Sequence, residues 1–261
     1  MASNYWSKDW YLEFSASLAA NVSANPKLLG VVLVGSTSDT SRIDEWSDHD
    51  FFLITQEGEG EAFRQDLSWL PLENEIAWAV RETAHGLKVV YNFGHVLEFA
   101  VFNDSELELA KVNAATVASD KAKLTARVDA LREASKPTTV ANLQSELELL
   151  LSHILIGVGR FRRGEVLIAG EQIRSYLMGN LLTLISSWVA PVPGSESTED
   201  NLNRFRRFER RYPVSAERIA AALAGDVESA ARSILELVEA ADPTEDNHGK
   251  YRVVRDRLGW N

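Results

Sequence analysis

LLGVVLVGSTSDTSRIDEWSDHDFFLIT, residues 28–55, is the stretch that decides the fold of this chain. Its first seven residues form an apolar run rich in β-branched side chains, a pattern typical of a strand buried on both faces. The run ends directly in Gly35 and Ser36, and a polar loop occupies residues 37–47. Apolar residues then resume and predict a second strand over residues 48–55. The stretch therefore predicts two short strands joined by a polar loop that begins with glycine and serine.

The two ends of that loop carry groups suited to a phosphorylated ligand and a metal ion. Gly35 lets the backbone approach phosphate oxygens closely, and the Ser36 hydroxyl can donate to them. Asp48 and Asp50 are two residues apart in an extended segment, so their carboxylates point to the same side. Two carboxylates that close repel each other unless a cation lies between them, and Mg²⁺ prefers oxygen ligands. The pattern predicts a magnesium site beside a phosphate-binding turn.

We expect a third acid on a neighbouring strand. The segment VLEFAVF, residues 96–102, is the clearest alternating strand in the chain, and Glu98 lies inside it. We therefore predict that Glu98 completes the acidic group, although a lone acid in an apolar strand can also be an edge-facing surface residue. The alternatives for the third acid are Glu75, Glu82 and Asp104.

The chain changes character near residue 105. Before that point, short apolar runs predict further strands over 76–80 and 88–92, with helices over 5–22 and 61–70. After it, helical patterns dominate, at residues 105–134, 139–163, 165–189, 199–212, 215–224 and 227–240. We expect an α+β protein with an N-terminal domain over 1–105, in which helices flank a small mixed β-sheet. An all-helical domain over 106–261 would complete the acceptor and nucleotide cleft.

Composition excludes several classes of protein. The 261 residues include no cysteine, which excludes disulfides, cysteine-based zinc sites and thiol nucleophiles. The net charge of −11 weighs against general nucleic-acid binding, because such binding depends on neutralising phosphates with a basic surface. No apolar run is long enough to span a bilayer, and no signal peptide is evident. We expect a soluble cytoplasmic protein without a membrane partner; its oligomeric state stays open.

The Gly35–Ser36 turn, the Asp48-x-Asp50 pair and the later acid resemble the motif of the polymerase-β-type nucleotidyltransferase superfamily. The likeness covers residues 35–102 and is nearest to the small enzymes that modify aminoglycoside and lincosamide antibiotics. It implies that Gly35 and Ser36 bind triphosphate and that Asp48 and Asp50 ligate the metal. It also implies that Glu98 contacts the metal and serves as general base on the acceptor hydroxyl.

The sequence departs from that motif at two places. His49 replaces the aliphatic residue that usually separates the two aspartates, and strand alternation should turn it to the other face of the sheet. The loop also lacks the family's Arg-Gly pair, so we assign Arg42 as its stand-in at the nucleotide.

Arginines of the helical half are candidates for further triphosphate contacts, because arginine binds phosphate in a bidentate way. Arg160 and Arg163 lie at a predicted helix end, and Arg207 belongs to a cluster of five arginines over 204–211. The alternative for Arg160 and Arg163 is that they complement a helix dipole. The alternative for the cluster is a charged outer face of a packed helix.

The resemblance implies a Mg²⁺-dependent enzyme that moves an NMP, AMP in the leading case, from ATP or another NTP to an acceptor hydroxyl with release of pyrophosphate. The acceptor would be a small molecule, with antibiotic resistance as a role if it is an aminoglycoside or lincosamide. Two alternatives stay open. One is transfer to a macromolecule, as in protein AMPylation or tRNA modification, and the other is a non-catalytic nucleotide sensor.

Overall fold

The computed structural model describes residues 5, 7–38, 40–135, 141–195, 200 and 202–260. The chain divides into two compact units, Met1–Lys136 and Pro137–Asn261. The change of composition near residue 105, where we expected a boundary, falls inside the first unit, because a strand and a helix after that point belong to it.

The first unit is a six-stranded sheet with helices on both faces. Strand order across the sheet is β3-β4-β5-β2-β1-β6. The β2–β5 pair is parallel and the other neighbours are antiparallel, so the sheet is mixed and the expected α+β class is confirmed. Its elements are α1 Lys8–Ala24, β1 Leu28–Val34, β2 His49–Thr55, α2 Gly60–Gln65, β3 Ile76–Arg81, β4 Gly86–Tyr91, β5 Val96–Asn103, β6 Ala115–Asp120 and α3 Leu124–Ala134.

The helix predicted over residues 105–134 is wrong in its first half. A 3-10 turn at Ser105–Leu109 is followed by β6, which pairs antiparallel with β1. An alanine- and lysine-rich composition concealed this strand, whereas pairing supplies hydrogen bonds to an edge of β1 that would otherwise be open. The helix predicted over 61–70 is also shorter and ends at Gln65 as α2.

The two faces of the sheet bury different apolar clusters. Helices α1 and α2 cover one face, which packs Phe14, Leu18, Val22, Val31, Leu33, Phe51, Leu53, Leu97, Phe99 and Val101. Helix α3 and the 3-10 turn cover part of the other face, which packs Val32, Ile54, Phe102, Leu107, Leu124 and Val128. Because side chains alternate along a strand, neighbouring residues of β1, β2 and β5 belong to opposite clusters.

The second unit is helical throughout its described residues, as expected. Its helices are α4 Leu143–Arg162, α5 Val166–Glu171, α6 Leu177–Trp188, α7 Phe208–Arg211, α8 Pro213–Ala224, α9 Val227–Ala241 and α10 His248–Leu258, with a π-helical turn at Gln172–Tyr176 joining α5 to α6. Helix α7 is a fragment of the helix predicted over 199–212, because residues 202–207 form bends and turns and the helix begins only after Arg207, whose backbone is left-handed with φ of 60°. Residues 199 and 201 of that prediction, and 139–140 of the one over 139–163, lie outside the described residues.

None of the described helices combines the length and apolar character that crossing a membrane requires.

Close approach of β1 to β6 depends on Gly30. A Cβ at this position would lie 2.3 Å from the Ser119 carbonyl oxygen and 2.5 Å from Leu124 Cδ1. We expect Gly30→Ala to lower the free energy of unfolding by about 1–3 kcal/mol, because overpacking forces the backbone to shift. Urea denaturation followed by circular dichroism measures this. Gly249→Ala in α10, where a Cβ meets no atom within 4 Å, is the control and should be neutral or stabilising. Equal destabilisation by both substitutions would contradict the explanation.

Candidate metal and triphosphate site

Strand register brings the three predicted acids together. Asp50 on β2 pairs with Glu98 on β5 in the parallel ladder, and Asp48 lies one residue before β2 begins. One carboxylate oxygen from each of Asp48, Asp50 and Glu98 falls within 4.8 Å of the others, and all three residues are half-buried. Partial burial lowers the effective dielectric, so the mutual repulsion of the carboxylates is stronger than in water.

The glycine of the turn makes room for one of these acids. Gly35 has a φ of 62°, a left-handed backbone that other residues rarely adopt. A Cβ there would lie 2.3 Å from Asp50 Oδ2, inside van der Waals contact. Glycine is therefore required twice at this position, once for the turn and once for the space that the Asp50 carboxylate occupies.

Two polar side chains close the turn on itself. Arg42 Nη2 donates to the Gly35 carbonyl oxygen at 2.7 Å, and Ser38 Oγ donates to the same oxygen at 2.9 Å. Ser36, which follows Gly35 in the turn, is half-buried. Arg42 thus lies in the loop beside the acids, as expected, and holds the turn; its contact with a nucleotide stays a prediction.

A buried tyrosine and a threonine fix the backbone of the aspartate pair. The Tyr11 hydroxyl donates to the Asp48 carbonyl oxygen at 2.5 Å and lies 2.7 Å from Thr37 Oγ1. Thr37 Oγ1 accepts the Asp50 N–H at 2.9 Å. Burial raises the pKa of Tyr11, with the charges of Asp48 and Asp50 adding to the effect, so its hydroxyl stays protonated as a donor. Sequence reasoning missed Tyr11, because its role depends on how α1 packs on the sheet.

His49 points away from the acids, as strand alternation predicts. Its side chain is fully buried beneath α1 and stacks on Tyr11, with ring centroids 3.7 Å apart. Nδ1 of His49 lies 2.7 Å from Nε2 of His95, and Nε2 lies 2.9 Å from Ser15 Oγ. Burial lowers the pKa of both histidines, to about 4 for His95, so neither carries charge at neutral pH.

A lysine on the next strand balances part of the acidic charge. Lys88 on β4 pairs with Glu98 in the antiparallel ladder, and its Nζ lies 3.1 Å from Glu98 Oε1. The same Nζ lies 3.1 Å from Glu82 Oε1. Both contacts raise the pKa of Lys88, the hydrogen bond to Glu98 most. Alternation along β4 would have placed Lys88 on the acidic face, had the pairing of β4 with β5 been known.

The other acids considered for the third position lie outside this group. Glu82 approaches it only through Lys88, and Asp104 forms an ion pair with Arg127 of α3. Glu75 accepts a hydrogen bond from Asn92 beside the start of β3. The geometry thus favours Glu98 over the alternatives.

The candidate arginines of the second unit each have an acidic neighbour within that unit. Arg163 Nε lies 3.0 Å from Glu165 Oε1, and Arg160 Nη1 lies 3.8 Å from Glu165 Oε2. Arg207 Nη2 lies 3.1 Å from Asp200 Oδ2. The two pairs with Glu165 are exposed and hold their arginines weakly, so Arg160 and Arg163 can exchange partners. The pair of Arg207 with Asp200 is mostly buried, with side chains 22% and 5% exposed. A triphosphate contact from any of the three stays a prediction.

The donor set suits a hard divalent cation. Within the described residues the group consists of three carboxylates, and their oxygen ligands favour Mg²⁺ over zinc. Glycine at position 35 leaves the approach to Asp50 free of a Cβ. These residues therefore fit the magnesium ion that the sequence motif implies.

Comparisons with known proteins give distant likenesses. No family model and no curated protein matches the chain. Among solved structures, an aminoglycoside 6-adenyltransferase from Bacillus subtilis aligns over 98% of this chain and 92% of its own, with 12% identity and a TM-score of 0.35. A nucleotidyltransferase-like protein from Exiguobacterium sibiricum 255-15 aligns over 94% and 79%, with 14% identity and a TM-score of 0.32.

A third solved structure is the STING-associated CdnE c-di-GMP synthase from Capnocytophaga granulosa, which aligns over 97% of this chain and 82% of its own. Its identity is 10% and its TM-score 0.32. At these identities and TM-scores the activity of this chain has to be argued from its own site.

Gly35→Ala tests the close approach to Asp50. We expect it to weaken Mn²⁺ binding, read by electron paramagnetic resonance with Mn²⁺ in place of Mg²⁺, by at least about tenfold, because the new Cβ displaces a ligand carboxylate. Gly194→Ala is the matched control: Gly194 also has a positive φ, of 81°, but a Cβ there meets no atom within 4 Å. It should cost about 1 kcal/mol of stability and leave Mn²⁺ affinity unchanged. Unchanged affinity in Gly35→Ala would contradict this.

Neutral burial of His49 and His95 makes stability depend on pH. Their folded pKa values lie below the unfolded value near 6.5, so the unfolded chain binds more protons as pH falls below that value. We expect the free energy of unfolding to be highest above about pH 7. It should decrease as the pH is lowered toward 4, by up to about 1.4 kcal/mol per pH unit for each histidine. Urea denaturation between pH 7.5 and 5 measures the slope.

The matched variants for that slope are His95→Gln and, as control, His248→Gln at an exposed position. His95→Gln should flatten the pH dependence, whereas His248→Gln should leave it as in the wild type. The same slope in all three proteins would contradict the assignment.

Proposed function

We propose that this chain is a Mg²⁺-dependent nucleotidyltransferase that transfers an NMP, with ATP as the leading donor, to a hydroxyl of a small molecule. The observation that carries the proposal is the convergence of three carboxylates within 4.8 Å beside a left-handed glycine. A phosphate-binding turn next to paired aspartates is the arrangement that phosphoryl-type transfer needs, since positioning and charge stabilisation provide most of its catalysis.

Each residue of the site has a defined part in the proposed reaction. Asp48, Asp50 and Glu98 would hold Mg²⁺, which when bound neutralises charge on the triphosphate and orients it. The backbone N–H groups after Gly35 and the Ser36 hydroxyl donate to phosphate oxygens. Tyr11 and Thr37 hold the peptide groups of the two aspartates in place, so that their carboxylates need little reorganisation.

The transfer itself is an in-line substitution at the α-phosphorus. Glu98 accepts the proton of the acceptor hydroxyl while the hydroxyl oxygen forms a bond to the α-phosphorus. The bond between the α-phosphorus and the oxygen bridging it to the β-phosphorus breaks, and pyrophosphate leaves. Lys88, hydrogen-bonded to Glu98, keeps that carboxylate oriented and limits its repulsion with the aspartates. Arg42, Arg160, Arg163 and Arg207 are proposed further contacts to the triphosphate.

The charge balance favours a small acceptor over nucleic acid. The net charge of −11 weighs against an acceptor with a phosphate backbone, because such an acceptor is bound by a basic surface. An aminoglycoside or a lincosamide, both cationic and rich in hydroxyls, fits an acidic protein. A role in antibiotic resistance would follow from such an acceptor.

Asp48→Asn and Asp50→Asn test the proposal. Each removes one ligand charge while conserving shape, so we expect pyrophosphate release to fall by at least about 100-fold with the fold unchanged. The assay uses the full chain, Mg²⁺, each labelled NTP in turn and a panel of aminoglycosides, lincosamides, tRNA and protein acceptors. Asp129→Asn is the control, because Asp129 is an exposed residue of α3, and it should retain full activity.

Near-wild-type turnover in either aspartate variant would overturn the proposal. Turnover with only tRNA or protein as acceptor would identify the acceptor as a macromolecule. Binding of NTP without turnover on any acceptor would point instead to a nucleotide sensor.

A further inference from the structure

The face of the sheet that carries the acids is covered along only part of its width. Helix α3 and the 3-10 turn bury it around Val32, Ile54 and Phe102. Farther out, on β3, the same face is open: Trp78 is 59% exposed and Val80 is 50% exposed. Contiguous exposed apolar surface is a feature of ligand and protein binding sites.

Register connects this open face to the acids. Val80 pairs with Lys88, Lys88 with Glu98, and Glu98 with Asp50, so these four side chains form one row across four strands. Val80 is two strands from Glu98, about 10 Å at the usual spacing of neighbouring strands. Trp78 belongs to the adjacent row, opposite Val90, which in turn pairs with Val96. We call Trp78, Val80, Lys88 and Val90 the β3–β4 ledge.

A bulge in β3 turns the tryptophan onto the ledge. Ile76 pairs with Tyr91 but Trp78 pairs with Val90, so Ala77 is an extra residue in the ladder. Ile76 packs against the cluster beneath α1, on the opposite face from the acids. In a regular ladder Ile76 and Trp78, two residues apart, would lie on the same face of the sheet. Bulges commonly redirect a side chain next to a functional site, and this one brings an indole to the face of the carboxylates.

Charge on and around the ledge favours a cation. Lys88 is the one cation of the row and is shared between Glu82 and Glu98, while Asp48 and Asp50 add further negative charge. Glu82 follows β3 directly and is 53% exposed in its side chain. An indole ring is the best aromatic partner for an ammonium group. The ledge therefore offers a ring to stack on and a path to the proposed general base, and the neighbouring Glu82 adds negative charge that favours an amine.

We propose that the β3–β4 ledge binds the acceptor, and that this acceptor is a hydroxyl-bearing ring compound with at least one protonated amine. The inference rests on the proposed function and extends it. The acceptor lies over Trp78 and Val80, a protonated amine stacks on the indole, and a hydroxyl about 10 Å away reaches Glu98. Trp78 is then a specificity-determining residue, because it contacts the acceptor and takes no part in holding nucleotide or metal.

The test compares Trp78→Thr with Trp78→Phe in the full chain. Threonine keeps the preference for an extended strand and removes the ring, and phenylalanine keeps a ring. Isothermal titration with kanamycin, streptomycin and lincomycin as probes, in the presence of Mn²⁺ and a non-hydrolysable ATP analogue, measures acceptor affinity. For a probe that binds the wild type, we expect Trp78→Thr to weaken binding by roughly 3- to 30-fold, and Trp78→Phe by less.

Leu109→Ala, at a residue that is 65% exposed and outside the ledge, is the control and should leave affinity unchanged. Affinity for the Mn²⁺–ATP analogue pair, titrated separately, should be the same in all variants. That second titration distinguishes the two proposals. If the wild type does not bind the Mn²⁺–ATP analogue pair, the proposed function is overturned, and the ledge proposal, which rests on it, is overturned as well.

Three outcomes would overturn the ledge proposal while the nucleotide still binds. One is that Trp78→Thr and the wild type bind the probes equally. Another is that no probe binds the wild type. The third is that Trp78→Thr changes the oligomeric state measured by light scattering, which would assign the ledge to contacts with a second copy of the chain.

Discussion

Repulsion among Asp48, Asp50 and Glu98 is the constraint around which the first unit is arranged. Charges 4.8 Å apart repel by about 3 kcal/mol a pair at an effective dielectric near 20, so three pairs are a large fraction of the stability of a domain. The sheet keeps the acids together because backbone pairing, which does not depend on side-chain charge, fixes Asp50 opposite Glu98. Lys88 offsets part of the repulsion. A divalent cation would offset the remaining repulsion among the carboxylates, so the folded chain favours binding of a metal ion.

The two faces of β2 separate the charged chemistry from the packing that supports it. His49 lies between the two aspartates in sequence, yet its ring is buried beneath α1 with His95, Ser15 and Tyr11. Because the histidines are neutral, they add no charge to the acidic site on the opposite face of the sheet. Tyr11 spans the two environments: its ring packs on His49, while its hydroxyl holds the Asp48 carbonyl. Helix α1 thus aligns the backbone of the aspartates through Tyr11.

Local patterns predicted the parts of the site that depend on one strand and its turn. The apolar run, the glycine and the alternation of Asp48 with Asp50 are all readable within residues 28–55. The sequence also predicted Glu98, because it is an isolated acid in an alternating strand. Strand β6 was not predicted, because its alanines and polar residues carry no strand signal and it forms by completing the edge of β1. The partners Tyr11 and Lys88 depend on tertiary packing and register, which local patterns do not contain.

The bulge at Ala77 shows why register matters more than composition for the outer part of the site. An edge strand with exposed apolar side chains invites pairing with other chains, and proteins usually blunt such edges with charge, bulges or twist. Here the bulge does not hide Trp78; it moves the indole from the side that α1 covers to the side that carries the acids. Ala79, on the opposite face of β3, is exposed as well, so the sheet gains little buried apolar area from either placement of the indole. Exposure of the indole beside Lys88 and Glu98 is therefore better explained by a ligand than by the stability of the sheet.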